Sequence, residues 1–325
     1  SLRKGDMVFT PSSETAEDIG LSAVIAADLY NTVYSYHLIR LRIGSAIDLK
    51  FRKYFCNNHS VLSQFSKACK GTTRQILGRD DFKNIIILLP SQEEQKVISD
   101  YLERKTAQID DLIVKEDHMI ELFQEERMAI IDQAVTKGLD PNVEMKYSSI
   151  DCLGDIPKHW GVKKLQYLGW FQNGISENAE YFGSGYPFIS YGDVYNNMFL
   201  PAKVAGLAQS SYEERKRMSV EEGDVLFTRT SETIEEIGIS SVCMQSIKDA
   251  VFSGFIIRFR PLAQLFTKEF SKYYFRSIVT RKFFIKEMNI VTRASLAQDL
   301  LKRLPLLLPP IEAQKAITYY LDRKL

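Results

Sequence analysis

At 325 residues, with 45% hydrophobic and 26% charged residues and a formal net charge of +1, the chain has the composition of an ordinary globular protein and enough length for two domains. No apolar run approaches the roughly 18 residues that a membrane-spanning helix requires, and the opening SLRKGDMVFT lacks a signal-peptide core, so a cytoplasmic location without a membrane partner is expected. Cys56, Cys69, Cys152 and Cys243 lie far apart without a C-x-x-C pair, which argues against a disulfide frame or a zinc site and for packed, reduced thiols.

The first stretch of the chain is one that it repeats. GDMVFTPSSETAEDIG, from Gly5 to Gly20, returns 218 residues later as GDVLFTRTSETIEEIG, from Gly223 to Gly238, with ten of sixteen positions identical. The similarity extends from Leu2 to about Arg104 and from Val220 to Arg323, while the offset drifts only from 218 to 219. That is an internal duplication whose period is too long for a solenoid. In each copy DMVFT or DVLFT, after a Gly-Asp turn, and HLIRLR or FIIRFR alternate as strands do. Helical patterns follow at Asp48–Ser60 and Thr267–Met288, and each copy closes on an apolar run, IIILLP or LPLLLP, that reads as a buried strand. The expected fold class is α+β.

After Pro90, Ser91 and Glu94 make a capping box, and neither proline nor glycine occurs from there to Val135. Apolar residues at Ile98, Leu102, Ile109, Leu112, Met119, Phe123 and Ile130 follow an a/d pattern. About 45 residues at ~1.5 Å each predict a rod of roughly 65 Å. Its evenly spaced acidic outer faces favour a coiled-coil-type spacer over a helix lying across a globular core. Residues 1–92, 93–137 and 138–325 carry net charges of +4, −6 and +3, so two mildly basic blocks flank an acidic one, and local charge is what a phosphate backbone feels. Beyond a polar linker at 138, the stretch from Asp151 to Met218, with Trp160 and Leu165 as core anchors, has no equivalent before the first copy. The chain is therefore expected to start within a domain. The domain plan is 1–90, the later part of one recognition domain; 91–137, a spacer helix; 138–309, a second such domain; and 310–325, the start of a second spacer helix.

In this order the residues resemble the specificity subunits of bacterial type I restriction-modification systems. DIPKHWGVKKLQYLG is similar to the opening of that family's target-recognition domain, GDVLFTRTSETIEEIG and SGFIIRFRP to its middle, and LPLLLPPIEAQKAI to the junction with a conserved spacer helix. The resemblance covers nearly the whole chain. It implies two target-recognition domains, the first incomplete here, separated by long helices, each domain reading half of a bipartite double-stranded DNA target. It also implies that the helices fix the unread gap and dock methyltransferase subunits. It implies further that restriction/translocase subunits complete the complex and that S-adenosylmethionine, ATP and Mg2+ belong to those partners, with no cofactor expected in this chain.

The residues themselves agree with a chain that carries out no catalysis. There is no Asn-Pro-Pro-aromatic motif, no Gly-rich cofactor loop and no G-x-x-x-x-G-K-[ST] phosphate loop. His37, His59, His118 and His159 are scattered, and Cys56 with His59 lacks the second pair a metal needs. Two other readings stay open: a helical scaffold that does not read DNA, and a divergent nuclease using Asp140, Glu144 and Lys146, which lie in a linker without a flanking strand.

For DNA, side chains reaching base edges should differ between copies while the scaffold is shared. In the F-T-x-[ST]-S-E-T loop, Pro11 is exchanged for Arg229, which has the reach for a bidentate guanine contact; a solvated arginine or one paired with Glu232 is the plainer alternative. Thr10, Ser12, Thr228 and Thr230 are candidate phosphate or base contacts beside it. A second candidate is the Gly/Thr/Arg loop of Lys70, Thr72, Thr73 and Arg74, mirrored by Thr292, Arg293 and Ser295. Lys272 and Arg276, with Lys268, form a possible basic helical stripe, and Asn173, Tyr191 and Asn197 a possible groove-facing loop.

Overall fold

The computed structural model describes residues 1–234, 236–262, 265–287 and 294–325. The chain divides into two compact units, Ser1–Met119 and Ile120–Leu325. Among the described residues no helix is long and apolar enough to cross a membrane.

The first unit opens with β1 (Met7–Phe9), β2 (Ser12–Ser13), β3 (Ser22–Val24) and β4 (Ile39–Leu41). An antiparallel sheet runs β3-β1-β4, with Val8 opposite Ala23 and Arg40. Alternation in β1 sends Met7 and Phe9 into a core with Ile19, Phe51, Phe55, Val61, Phe65 and Leu77. The helix expected over Asp48–Ser60 is instead two, α1 (Arg52–Phe55) and α2 (His59–Ala68). Asn58 divides them: its Oδ1 accepts the Val61 N–H at 3.1 Å and caps a new helix. Then follow β5 (Gln75–Ile76), paired with β2, and α3 (Arg79–Lys83). The strand expected at IIILLP is absent: residues 85–90 pair with no strand, and Ile86 and Leu88 are exposed. A strand exists only where an edge accepts it, and none among the described residues does so here.

The spacer helix α4 spans Gln92–Lys137, 46 residues and so ~69 Å long. The Ser91–Glu94 box forms as expected, the Glu94 carboxylate accepting the Ser91 N–H at 2.9 Å and its hydroxyl at 2.8 Å. Of the seam positions, Ile109, Leu112, Met119 and Phe123 are exposed, whereas Ile98, Leu102 and Ile130 are half-buried. Near its end Ile131, Ala134 and Val135 join the core of the second unit.

That unit continues with β6 (Met145–Tyr147) against β7 (Asp155–Pro157), β8 (Gly161–Lys164), a 3-10 turn at Leu165–Tyr167, and β9 (Gly169–Asn173). Residues 138–150, read as linker, thus contain a strand. Next come β10 (Phe182–Ile189), α5 (Tyr191–Tyr195), β11 (Leu207–Ala208) and α6 (Tyr212–Arg217). The duplicated part supplies β12 (Val225–Thr228), β13 (Thr230–Ser231), β14 (Ser240–Val242), β15 (Val251–Phe252) and β16 (Ile256–Pro261). It ends with α7 (Lys268–Tyr274), α8 (Ile278–Glu287), β17 (Ala294–Ser295), α9 (Gln298–Arg303), β18 (Pro305–Leu308) and α10 (Ile311–Lys324). The helix expected over Thr267–Met288 is therefore divided at 275–277, and Met288 lies outside the described residues.

The central sheet runs β14-β12-β16-β9 and is antiparallel throughout. Its β14-β12-β16 part repeats β3-β1-β4, and the fourth strand is new. A separate ladder joins β18 to β8. One face of β12, Val225 and Phe227, enters a core with Trp160, Leu165, Phe259, Tyr274, Phe284 and Leu307. The other face, Leu226, packs in a second core with Ile189, Val251 and Phe252. Both faces of this sheet are covered, which is why β12 reads as a nearly continuous apolar run.

Candidate nucleic-acid interface

Two loops that the sequence singles out separately form one ladder. In the second unit Thr230 lies opposite Ser295 and Ser231 opposite Ala294. The Leu296 N–H donates to the Arg229 carbonyl at 2.7 Å, and the Arg229 N–H donates to the Phe255 carbonyl at 2.8 Å. Arg229 is thus fixed through its backbone on both sides, while its half-buried side chain has no hydrogen-bond or ion-pair partner among the described residues.

Around this ladder the lead-in contributes its own candidates. Tyr191 Oη donates to the Thr230 carbonyl at 3.0 Å, and Asn173 Oδ1 accepts from Gln298 Nε2 at 2.8 Å. Tyr195 stacks on Tyr191 with ring centroids 5.7 Å apart and donates to Glu236 Oε1 at 2.7 Å. Burial pushes the Tyr191 hydroxyl up in pKa, and the Glu236 carboxylate does the same to Tyr195, so both remain proton donors at neutral pH. An open hollow of about 390 Å³ lies between Tyr191, Tyr195, Thr230, Ser231, Glu236 and Phe255. Gln298, Tyr195 and Glu236 escape sequence reasoning, since nothing local marks a residue that meets a loop far along the chain. Asn197 is turned inward: its Nδ2 donates to the Asp193 carbonyl at 2.9 Å and shapes the end of α5.

Three candidates are buried or already engaged by other groups of the chain. Thr228 is fully buried in β12. Lys272 pairs with Asp322 at 2.7 Å. Arg276 lies past the end of α7, so the expected stripe breaks, and its guanidinium donates to the carbonyls of Ser240 at 2.6 Å, Asn197 at 2.7 Å and Val194 at 3.1 Å. Burial lowers its pKa to about 10 without discharging it at neutral pH. Its work is to hold α5 and the turn after it. Thr292 and Arg293 lie outside the described residues.

The first unit builds the same ladder. Ser12 lies opposite Ile76 and Ser13 opposite Gln75, and the Leu77 N–H donates to the Pro11 carbonyl at 2.8 Å, as Leu296 does to Arg229. Lys70 bridges to Ile76 through both backbone groups, at 3.1 and 2.9 Å. This leaves the side chains of Lys70, Thr72, Thr73 and Arg74 exposed on one loop beside the half-buried Thr10 and Ser12. Thr10 Oγ1 donates to the Leu21 carbonyl at 3.4 Å, a weak contact that a better acceptor would displace.

Asp140, Glu144 and Lys146 do not converge as a catalytic set. Asp140 accepts the Asn142 N–H at 2.9 Å, Glu144 pairs with Lys158 at 2.6 Å, and Lys146 donates to the Trp160 carbonyl at 2.9 Å. Among the described residues no group of His, Cys, Asp and Glu is placed to hold a metal ion. All four cysteines are free, and burial pushes the Cys56 thiol up to about 12.

The sequence profile of the family described as the type I restriction modification DNA specificity domain matches residues 2–121 and 157–324. The chain is 24% identical over 285 residues to the type I restriction enzyme EcoKI specificity subunit of Escherichia coli K12, covering 85% of this chain and 58% of that protein. It is 23% identical over 333 residues to the putative type I restriction enzyme MjaX specificity subunit of Methanocaldococcus jannaschii, covering 96% of this chain and 70% of that one. The chain thus spans less than two thirds of the EcoKI subunit's length. Among solved structures, a chain from a study of complex assembly and conformational transition in the type I R-M system aligns at TM-score 0.68 and 18% identity, covering 99% of this chain and 74% of that one. The HsdS subunit from Thermoanaerobacter tengcongensis aligns at TM-score 0.52 and 17% identity, with coverages of 99% and 73%. Those two likenesses establish the fold, and the profile, matched over most of the sequence, establishes kinship: the chain belongs to the type I restriction-modification DNA specificity family.

Proposed function

We propose that the chain is the non-catalytic DNA-recognition subunit of a type I restriction-modification complex, reading a bipartite target in double-stranded DNA. The observation that carries this reading is the ladder built twice at equivalent positions, β2 with β5 and β13 with β17, with different side chains mounted on it. A shared scaffold with exchanged side chains is what two half-sites require. In the second unit Arg229, Thr230 and Ser295 read bases or grip phosphate beside Tyr191 and Asn173. In the first, Lys70, Thr72, Thr73 and Arg74, with Thr10 and Ser12, do the gripping. Residues 1–90 and 138–309 are the recognition domains, 91–137 the spacer helix that sets the unread gap and docks methyltransferase subunits, and 310–325 the start of its counterpart. S-adenosylmethionine, ATP and Mg2+ serve the methyltransferase and restriction/translocase partners.

The test is selection of duplexes from a randomised pool by the chain in complex with methyltransferase subunits, at raised salt to suppress sequence-independent binding. Enrichment of two short half-sites at one fixed separation is expected, with Arg229→Ala relaxing only one of them. No enrichment favours a scaffold that does not read DNA.

A further inference from the structure

The two copies use one loop carboxylate differently. In the first unit Asp18 is taken up by its own loop, where it accepts the Thr15 hydroxyl at 2.7 Å. The equivalent residue in the second unit, Glu236, is one methylene longer and accepts instead the hydroxyl of Tyr195, in α5, through Oε1 at 2.7 Å. Among the described residues its Oε2 receives only the Ser231 hydroxyl, at 3.4 Å, which is longer than an O–H donor approaches in a good hydrogen bond. One oxygen is clamped, and the other is left to accept.

Glu236 is exposed and lines the hollow of about 390 Å³ together with Tyr191, Tyr195 and Phe255, the last of them 59% exposed. Aromatic walls suit the edge of a flat ring, and the carboxylate sets what that edge must carry. A carboxylate is repelled by phosphate, so in a loop that faces DNA it is repaid only by a hydrogen-bond donor on a base. In the major groove guanine presents two acceptors, thymine an acceptor and a methyl group, and adenine a donor beside the N7 acceptor. Cytosine alone presents a donor, its N4 amino group, without an acceptor next to it. A carboxylate therefore meets a lone pair on every base except cytosine.

We propose that Glu236 is a specificity-determining residue that accepts the N4 amino group of a cytosine in the half-site read by the second unit, with Tyr195 as the positioning residue that holds its carboxylate. The inference rests on the DNA-recognition reading and deepens it by naming a base and the group that reads it.

The test uses the full chain in complex with methyltransferase subunits and selection from a randomised duplex pool. A cytosine is expected at one fixed position of the half-site that Arg229→Ala relaxes. Glu236→Gln keeps the size of the side chain and its contact with Tyr195, but presents an amide donor and acceptor that match adenine N6 and N7. Preference at that position is expected to move from cytosine to adenine. Replacing the cytosine by 2-pyrimidinone, which lacks the amino group, is expected to weaken wild-type binding by about tenfold and Glu236→Ala binding by no more than about twofold, the variant serving as control for the weakened base pair. Tyr195→Phe is expected to lower the preference for cytosine over thymine at that position without altering the salt slope. A half-site without cytosine, a base preference unchanged by Glu236→Gln, or an even loss of binding across all sequences overturns this inference and leaves DNA recognition standing. Absence of any enriched half-site overturns both.

Discussion

Arg42 holds Asp6 with two parallel hydrogen bonds, Nε to Oδ1 at 2.8 Å and Nη2 to Oδ2 at 2.7 Å, and 218 residues later Arg260 holds Asp224 in the same way, both at 2.7 Å. The pair ties the Gly-Asp turn before the first strand of the duplicated sheet to the end of the strand beside it. A planar guanidinium matches a carboxylate in this geometry and a lysine does not. In the second unit the pair is deeper: Asp224 is almost completely buried, and Arg260 is further engaged by Glu221 at 2.7 Å. Asp224→Ala leaves a buried guanidinium short of its partner and is expected to cost about 3–5 kcal/mol in denaturant unfolding. A loss within about 0.5 kcal/mol, as at an ordinary surface site, would mean the pair does not hold the sheet.

The copy in the first unit gives a pH signature. The Arg42 side chain holds the Asp6 carboxyl at about 2, below its ordinary 3.8. Between those values the unfolded chain binds the proton and the folded chain does not, so the stabilisation is complete above roughly pH 4 and is lost as pH falls through about 2. Urea unfolding of the wild type and Asp6→Asn across this range is expected to show a stability gap that is constant at higher pH and narrows in acid. A gap independent of pH would assign the effect to packing.

The repeated sixteen-residue stretch ends in glycine in both copies for a steric reason. Gly20 and Gly238 have φ of +79° and +64°, and a Cβ would stand 2.5 Å from Phe65 or 2.8 Å from Phe284, themselves equivalent residues. Gly238→Ala combines left-handed backbone with overlap against a ring and is expected to destabilise by about 1–3 kcal/mol. Thermal unfolding reads this directly, and a neutral result would show that the ring moves aside freely.

What was legible in the sequence was local or repeated. The capping box at Ser91 and the alternation of Met7 and Phe9 each follow from residues within a few positions of one another, and comparison of the two copies identifies the ladder-forming loops. What escaped depends on distant partners. Residues 85–89 carry the same apolar signal as β18, yet pattern says nothing of whether β8 or its equivalent is present to pair with them. Likewise Arg276 has the spacing of a surface stripe with Lys268 and Lys272, but α7 ends at Tyr274 and carbonyls from another part of the chain claim its guanidinium. Gln95 and Gln314 show the reverse case. Each is buried in a helix and bonds the backbone on two sides, Gln95 accepting the Asp48 N–H and donating to the Pro90 carbonyl, Gln314 accepting the Thr267 N–H and donating to the Pro309 carbonyl. Exact repetition of the Gln-Lys pair, at 95–96 and at 314–315, was a signal available for reading.

On the proposed reading, Arg74 grips DNA and Arg276 shapes what grips it. Arg74 is exposed on the loop with Lys70 and Thr72, so Arg74→Ala is expected to leave stability within about 0.5 kcal/mol while weakening DNA binding and reducing the salt slope by about one. Arg276 donates to four main-chain carbonyls, that of Ser240 in β14 and those of Val194, Tyr195 and Asn197 at the end of α5, so Arg276→Ala is expected to cost at least about 2 kcal/mol of stability. Its effect on DNA affinity should leave the salt slope unchanged, because no phosphate contact is lost and only the seating of Tyr191 is disturbed. Binding isotherms at several salt concentrations, beside denaturant unfolding of the same proteins, measure both quantities. A reduced slope for Arg276→Ala with unchanged stability would return that residue to the DNA-contacting set and place the loop it holds elsewhere.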